Sequence, residues 1–153
     1  MGFRCQKSDP PMDGFAVAKV RGQMIPKRGI MSKKSKKKWL REPEEHDYPA
    51  ANSYLTLIYD EETASKHVEA LKRAPMTSFC AKDIFRASHL PLLGSNNSHV
   101  RRNQKKIAAG KKLSPLLLVR DSSNGNVIIA DGYHRMCAVY TFDEDTLVPC
   151  KIV

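Results

Sequence analysis

Five consecutive residues, Asp131-Gly132-Tyr133-His134-Arg135, hold a carboxylate, an imidazole and a guanidinium in one short stretch. Asp131 can accept a proton from an attacking group or hold a metal ion. His134 can donate a hydrogen bond or exchange a proton near neutral pH. Arg135 carries a planar fork that matches phosphate oxygens. Gly132 keeps the backbone clear for close approach of a ligand. Each of these groups suits phosphate chemistry. A purely structural reading of the same residues has Asp131 capping a helix, Arg135 pairing with it and His134 lying on the surface.

The surroundings decide where such a group sits. Val127-Ile128-Ile129-Ala130 reads as a strand and Met136-Cys137-Ala138-Val139-Tyr140 as a helix, so the pentapeptide falls on a strand-to-helix turn. The free N–H groups and positive dipole end of a helix start favour an anion there. Cys137 is expected to be a core thiol, since with His134 it makes only two of the ligands a zinc site needs.

Upstream, Leu116-Leu117-Leu118-Val119 is a continuous apolar run, expected of a strand covered on both faces. Asn124-Gly125 signals the hairpin that joins it to residues 127–130. The loop Gly94-Ser95-Asn96-Asn97-Ser98 opens a predicted helix over 99–109, stopped by Gly110, with Val100, Ile107 and Ala108 as its apolar stripe. Ser98 and His99, at its start, join Gly132, Tyr133, His134 and Arg135 as candidate phosphate-binding residues. Arg101, Arg102, Lys105, Lys106, Lys111 and Lys112 make 101–112 the one strongly basic patch of the body.

Residues 77–85 alternate as a strand, with Phe79, Ala81 and Ile84 facing inward. A helix is predicted from Pro49, with Tyr54, Leu57 and Ile58 on its apolar side. A second, over 61–73, has Asp60 as its cap, Val68 and Leu71 buried, His67 at the boundary and Pro75 as its stop. The acidic stretch Glu42, Glu44, Glu45 and Asp47, interrupted by Pro43 and closed by Pro49, has carboxylates enough for a metal but reads as a loop without fixed geometry, hence as a solvated linker. Residues 147–153 form a closing strand.

Composition limits the alternatives. The 153 residues carry a net charge of +10, but residues 1–41 hold twelve Lys/Arg against Asp9 and Asp13, while 42–153 hold fourteen of each sign. The excess therefore belongs to a leader, whose lysine run reads as a solubilising tail. Met31 offers a second start, which makes 1–30 an expected extension outside the native product. No apolar run approaches the ~20 residues of a membrane span. Cys5, Cys80, Cys137 and Cys150 are widely spaced, which suggests reduced thiols and a cytoplasmic location. The expected organisation is a disordered basic leader (1–41), an acidic linker with a helical extension (42–76) and a compact α+β domain (77–153).

The second half of the chain, with "PLLLV", "IIADGYHRMCAVY" and "VPCKIV", resembles the ParB/sulfiredoxin superfamily. In chromosome-partitioning ParB proteins the corresponding turn reads G-E-R-R-x-R-A and binds the phosphates of CTP; Gly132, Arg135 and Ala138 match it. In sulfiredoxins it reads G-G-C-H-R, and Tyr133 stands in the cysteine's place, so the resemblance does not imply sulfinic-acid repair. The D-G-H-H-R of ADP-dependent serine kinases is met at Asp131, Gly132, His134 and Arg135. Those kinases also use a glutamate near the start of the preceding helix, where this chain reads Ser98-His99-Val100-Arg101. ParB proteins add a helix-turn-helix module beyond this domain. Here the basic leader and the 101–112 patch are the elements expected to offer nucleic acid a surface.

The resemblance implies a nucleotide (ADP, ATP or CTP) with Mg2+, held between the 94–98 loop and the 131–135 turn. Asp131 and His134 would be the catalytic groups of a phosphotransferase or nucleotide hydrolase, with Asp131 also a metal ligand. A non-catalytic nucleic-acid-binding module and a metal-dependent nuclease are the alternatives.

Overall fold

The computed structural model describes residues 38–153, so the expectations for the leader up to residue 37 lie outside the described residues. The elements are α1 (Asp47–Leu55), α2 (Glu61–Arg73), β1 (Thr77–Cys80), α3 (Ala81–Ser88), α4 (Ser98–Ala108), β2 (Leu116–Asp121), β3 (Asn126–Asp131), α5 (Tyr133–Phe142) and β4 (Leu147–Ile152). The fold is mixed α+β. Its four strands lie in the order β1-β4-β2-β3, with β4 parallel to β2 and the other two pairings antiparallel.

The central strand explains the layering. All four residues of Leu116-Leu117-Leu118-Val119 are buried, and their side chains alternate between the two faces of the sheet. Leu116 and Leu118 join Ile129, Ala81 and Ile84 of α3, Val100 and Ile107 of α4 and Met136 of α5 in one core. Leu117 and Val119 join Ile128, Ala130, Tyr48, Ala51 and Leu55 of α1, and Val68 and Leu71 of α2, in the other. Helices therefore cover both faces, as a strand apolar throughout its length requires.

The hairpin turns at Asn124-Gly125, where Gly125 has φ +63°. The α2 helix begins as its cap dictates, the Asp60 carboxylate accepting from the Thr63 N–H at 2.9 Å.

Three expectations are corrected. The strand predicted over 77–85 ends at Cys80, and Ala81 starts α3. Ala81, Ile84 and Ser88 are buried at a spacing of three and four, the helical period, whereas Phe79 is exposed. In α1 the buried face is Tyr48, Ala51 and Leu55, while Tyr54, Leu57 and Ile58 are exposed, Leu57 at 82%. The helix ends at Leu55, so Leu57 and Ile58 fall in the turn that follows it, and Tyr54 lies off the buried face. In α4, Val100 and Ile107 are buried but Ala108 is exposed. Among the described residues no helix is long and apolar enough to cross a membrane.

Candidate functional site

The 131–135 turn opens onto a cleft of about 270 Å³. Its floor is the end of β3 and the first turn of α5. Gly132 is the N-cap of α5 at φ +103°, and no side chain caps that helix. A Cβ at this position would collide with Leu116 and lie 3.1 Å from the Arg135 Nη2, so only glycine fits. One wall is α4, through His99, Arg102, Asn103 and Lys106. Lys112-Leu113-Ser114 and the segment holding Glu44 and His46 complete it. That segment is brought alongside by backbone bonds: Leu40 N–H donates to the Leu113 carbonyl at 2.8 Å, and Leu113 N–H to that of Lys38 at 2.9 Å.

The acidic stretch is not all solvated. Asp47 is buried at 2% exposure and lies beneath the cleft. Its carboxylate accepts from Ser114 Oγ, from the Glu44 N–H at 3.2 Å and from Arg135 Nη1 at 3.4 Å. Arg135 Nη2 meets the other carboxylate, Asp131. The guanidinium side chain, 15% exposed, is thus clamped between two acids, and its Nε is buried without a partner. Burial pushes the Asp131 carboxyl above the usual range; Arg135 opposes the rise and the Asp47 charge adds to it.

The sequence expectation that Arg135 is free to grip phosphate is therefore corrected. Its fork is already committed to Asp131, as the structural reading allows, and to Asp47. Of the Lys and Arg residues that line the cleft, Arg102, Lys106 and Lys112 have no carboxylate partner among the described residues. They come from the basic patch, which the fold splits: Arg101, Lys105 and Lys111 do not line the cleft.

His134 lines the cleft with its ring 4.9 Å from that of His99. Desolvation, reinforced by His99, holds the His134 imidazole below its ordinary value, so it is mainly neutral at pH 7. Tyr133 lines the cleft too, but its hydroxyl donates to the Pro91 carbonyl. Ser98 and the rest of the 94–98 loop lie outside the lining; the face of α4 takes the place expected for that loop. Asn97, not Ser98, caps α4, its side-chain oxygen accepting from the N–H groups of His99 and Val100 at 3.0 and 3.2 Å. Cys137 is a buried free thiol, and burial raises its pKa, which makes it inert at neutral pH.

For a divalent ion, Asp131 is a poor first ligand because Arg135 neutralises it. Glu44, His46 and Asp47 form the better donor set: the His46 Nε2 lies 3.7 Å from Glu44 Oε2 and 3.5 Å from Asp47 Oδ1. Ligands about 2.1 Å from one ion stand roughly 3 to 3.5 Å apart, so a small closure would let them share it. Sequence reading assigned Asp47 to a solvated linker and missed Ser114 and His46. The available signal was Tyr48, Ala51 and Leu55, whose helical spacing places Asp47 at the inner edge of α1.

No family model, curated protein or solved structure matches the chain.

Proposed function

We propose that this cleft binds a phosphorylated small molecule, and that the chain is a cytoplasmic ParB/sulfiredoxin-like phosphate-binding protein. The observation that carries the reading is convergence: the 131–135 turn and three unpaired cations of the 101–112 patch, read separately in the sequence, face one hollow. Arg102, Lys106 and Lys112 are exposed and can turn their charged heads to phosphate oxygens in charge-assisted hydrogen bonds, an attraction that water and salt screen. A nucleotide with Mg2+ is the ligand that the family resemblance implies. Arg135 then acts from below, fixing Asp131 and Asp47, while the wall holds the anion.

The same groups supply the parts of phosphoryl transfer, which is largely positioning and charge stabilisation. Asp131 would take the proton of an attacking hydroxyl or water as the new P–O bond forms and the bridging P–O bond breaks. His134, taking up a proton as the phosphoanion binds beside it, would pass that proton to the leaving oxygen.

Calorimetric titration with ADP, ATP and CTP, each with and without Mg2+, tests the reading on the wild type and on Lys106→Glu. Binding to the wild type, weakened at least about tenfold in the variant, is expected. Equal affinity in both would place the anion elsewhere. Affinity for duplex DNA that falls steeply with salt, without nucleotide binding, would favour the nucleic-acid module instead.

A further inference from the structure

The cleft is lined by groups that recognise phosphate and offers little to a base. We infer that it reads a chain of phosphates alone, so that its ligand class is a condensed phosphate of two or three units, with a nucleoside attached or absent. This rests on the phosphate-binding reading above and narrows it.

Binding of a purine or pyrimidine ring needs flat, dry contact on its faces. Leu113 is the one aliphatic side chain in the lining, and it is 2% exposed. The Tyr133 ring is held among its neighbours: its hydroxyl is tied to Pro91, and its centroid lies 5.6 Å from that of the tilted His134 ring. A base also cannot enter between His99 and His134. Their centroids are 4.9 Å apart, whereas a sandwiched ring needs about 7 Å, twice a van der Waals contact of about 3.5 Å.

Size and charge point the same way. At about 270 Å³ the hollow is smaller than the 300–1,000 Å³ typical of pockets that enclose a drug-sized ligand. Arg102 and Lys106 stand at i and i+4 on one helix face, their Cβ atoms about 6 Å apart. Lys112 approaches from beyond the end of that helix. Three separated cationic heads suit a ligand with several charged oxygens in a row better than a single orthophosphate. With both acids ionised, Arg135, Asp131 and Asp47 carry one net negative charge and Glu44 a second, so the three wall cations still outnumber the charges opposing them.

The test is calorimetry on the full chain with pyrophosphate, tripolyphosphate, ADP, ATP, CTP and adenosine, at one Mg2+ concentration and 0.15 M salt. Pyrophosphate is expected to bind within about threefold of ADP, tripolyphosphate within about threefold of ATP and CTP, and adenosine not at all. Lys106→Gln, at an exposed position, should weaken the condensed phosphates and the nucleotides by the same factor, with an unchanged melting temperature. A nucleotide bound more than about tenfold tighter than its bare phosphate chain, or ATP and CTP separated by that factor, would overturn the inference and leave the phosphate cleft standing. Failure of both nucleotides and condensed phosphates to bind would remove the cleft reading itself. An oligonucleotide bound more than about tenfold tighter than tripolyphosphate would overturn the inference in favour of a polymer.

Discussion

The floor of the cleft and its α4 wall are both rich in charge, but they are wired in opposite ways. On the floor, Arg135 is buried between Asp131 and Asp47, and Ser114 and the Glu44 N–H complete the bonds of Asp47. On the wall, Arg102, Lys106 and Lys112 meet no carboxylate among the described residues. Apart from the Arg135 Nε, the floor is satisfied from within the protein; the wall is satisfied by water or by whatever enters. A motif's arginine can therefore be a framework group, while less distinctive lysines beside it remain available to a ligand.

The largest expected effect separates the two directly. Arg135→Ala leaves the buried Asp47 and the half-buried Asp131 without their shared cation and should cost about 3–5 kcal/mol of stability in urea denaturation. A loss below about 1 kcal/mol would show that the clamp is incidental. Lys106, exposed and unpaired, has no comparable structural role, and its replacement should move binding rather than folding.

A smaller effect sharpens the comparison through pH. The His134 imidazole is held below its ordinary value by desolvation and by His99. A phosphoanion beside it favours the charged form and raises that value, so binding takes up a proton. Affinity should then increase as pH falls through neutrality towards 6, levelling off once the free imidazole is itself protonated. Asp131 shares the cleft and acts in the same sense, since an anion would raise its already raised pKa further. His134→Gln should reduce the pH slope by a few-fold without abolishing binding, measured by titration in buffers of different ionisation enthalpy. Affinity independent of pH would separate the imidazoles from the anion.

The parts of the fold with strong local signals were legible. Four apolar residues in a row at 116–119 gave a strand buried on both faces, Asn124-Gly125 gave the hairpin, and Asp60 gave the start of α2. The misses came where local pattern was weak or double-valued. Phe79 and Ala81 alternate like a strand, but Ala81, Ile84 and Ser88 repeat like a helix, and packing against β3 and α5 favoured the helix. In the site, the 131–135 turn was placed correctly because glycine between an apolar run and a helix is a strong signal. The spacing of Tyr48, Ala51 and Leu55 puts Asp47 at the inner edge of α1, but its contact with Arg135 spans 88 positions, so no local pattern names its partner. The facing of half the basic patch into the cleft was likewise set by the crossing of α4 and α5.

The central claim is that an anion lodges between the α4 wall and the 131–135 turn. Its most direct test is an amide-resolved NMR titration of the full chain with pyrophosphate. Shifts concentrated at Arg102, Asn103, Lys106, Lys112, Tyr133 and His134, with Arg101 and Lys105 little changed, are the predicted result. Shifts confined to the outer face of α4, or to the leader, would contradict it.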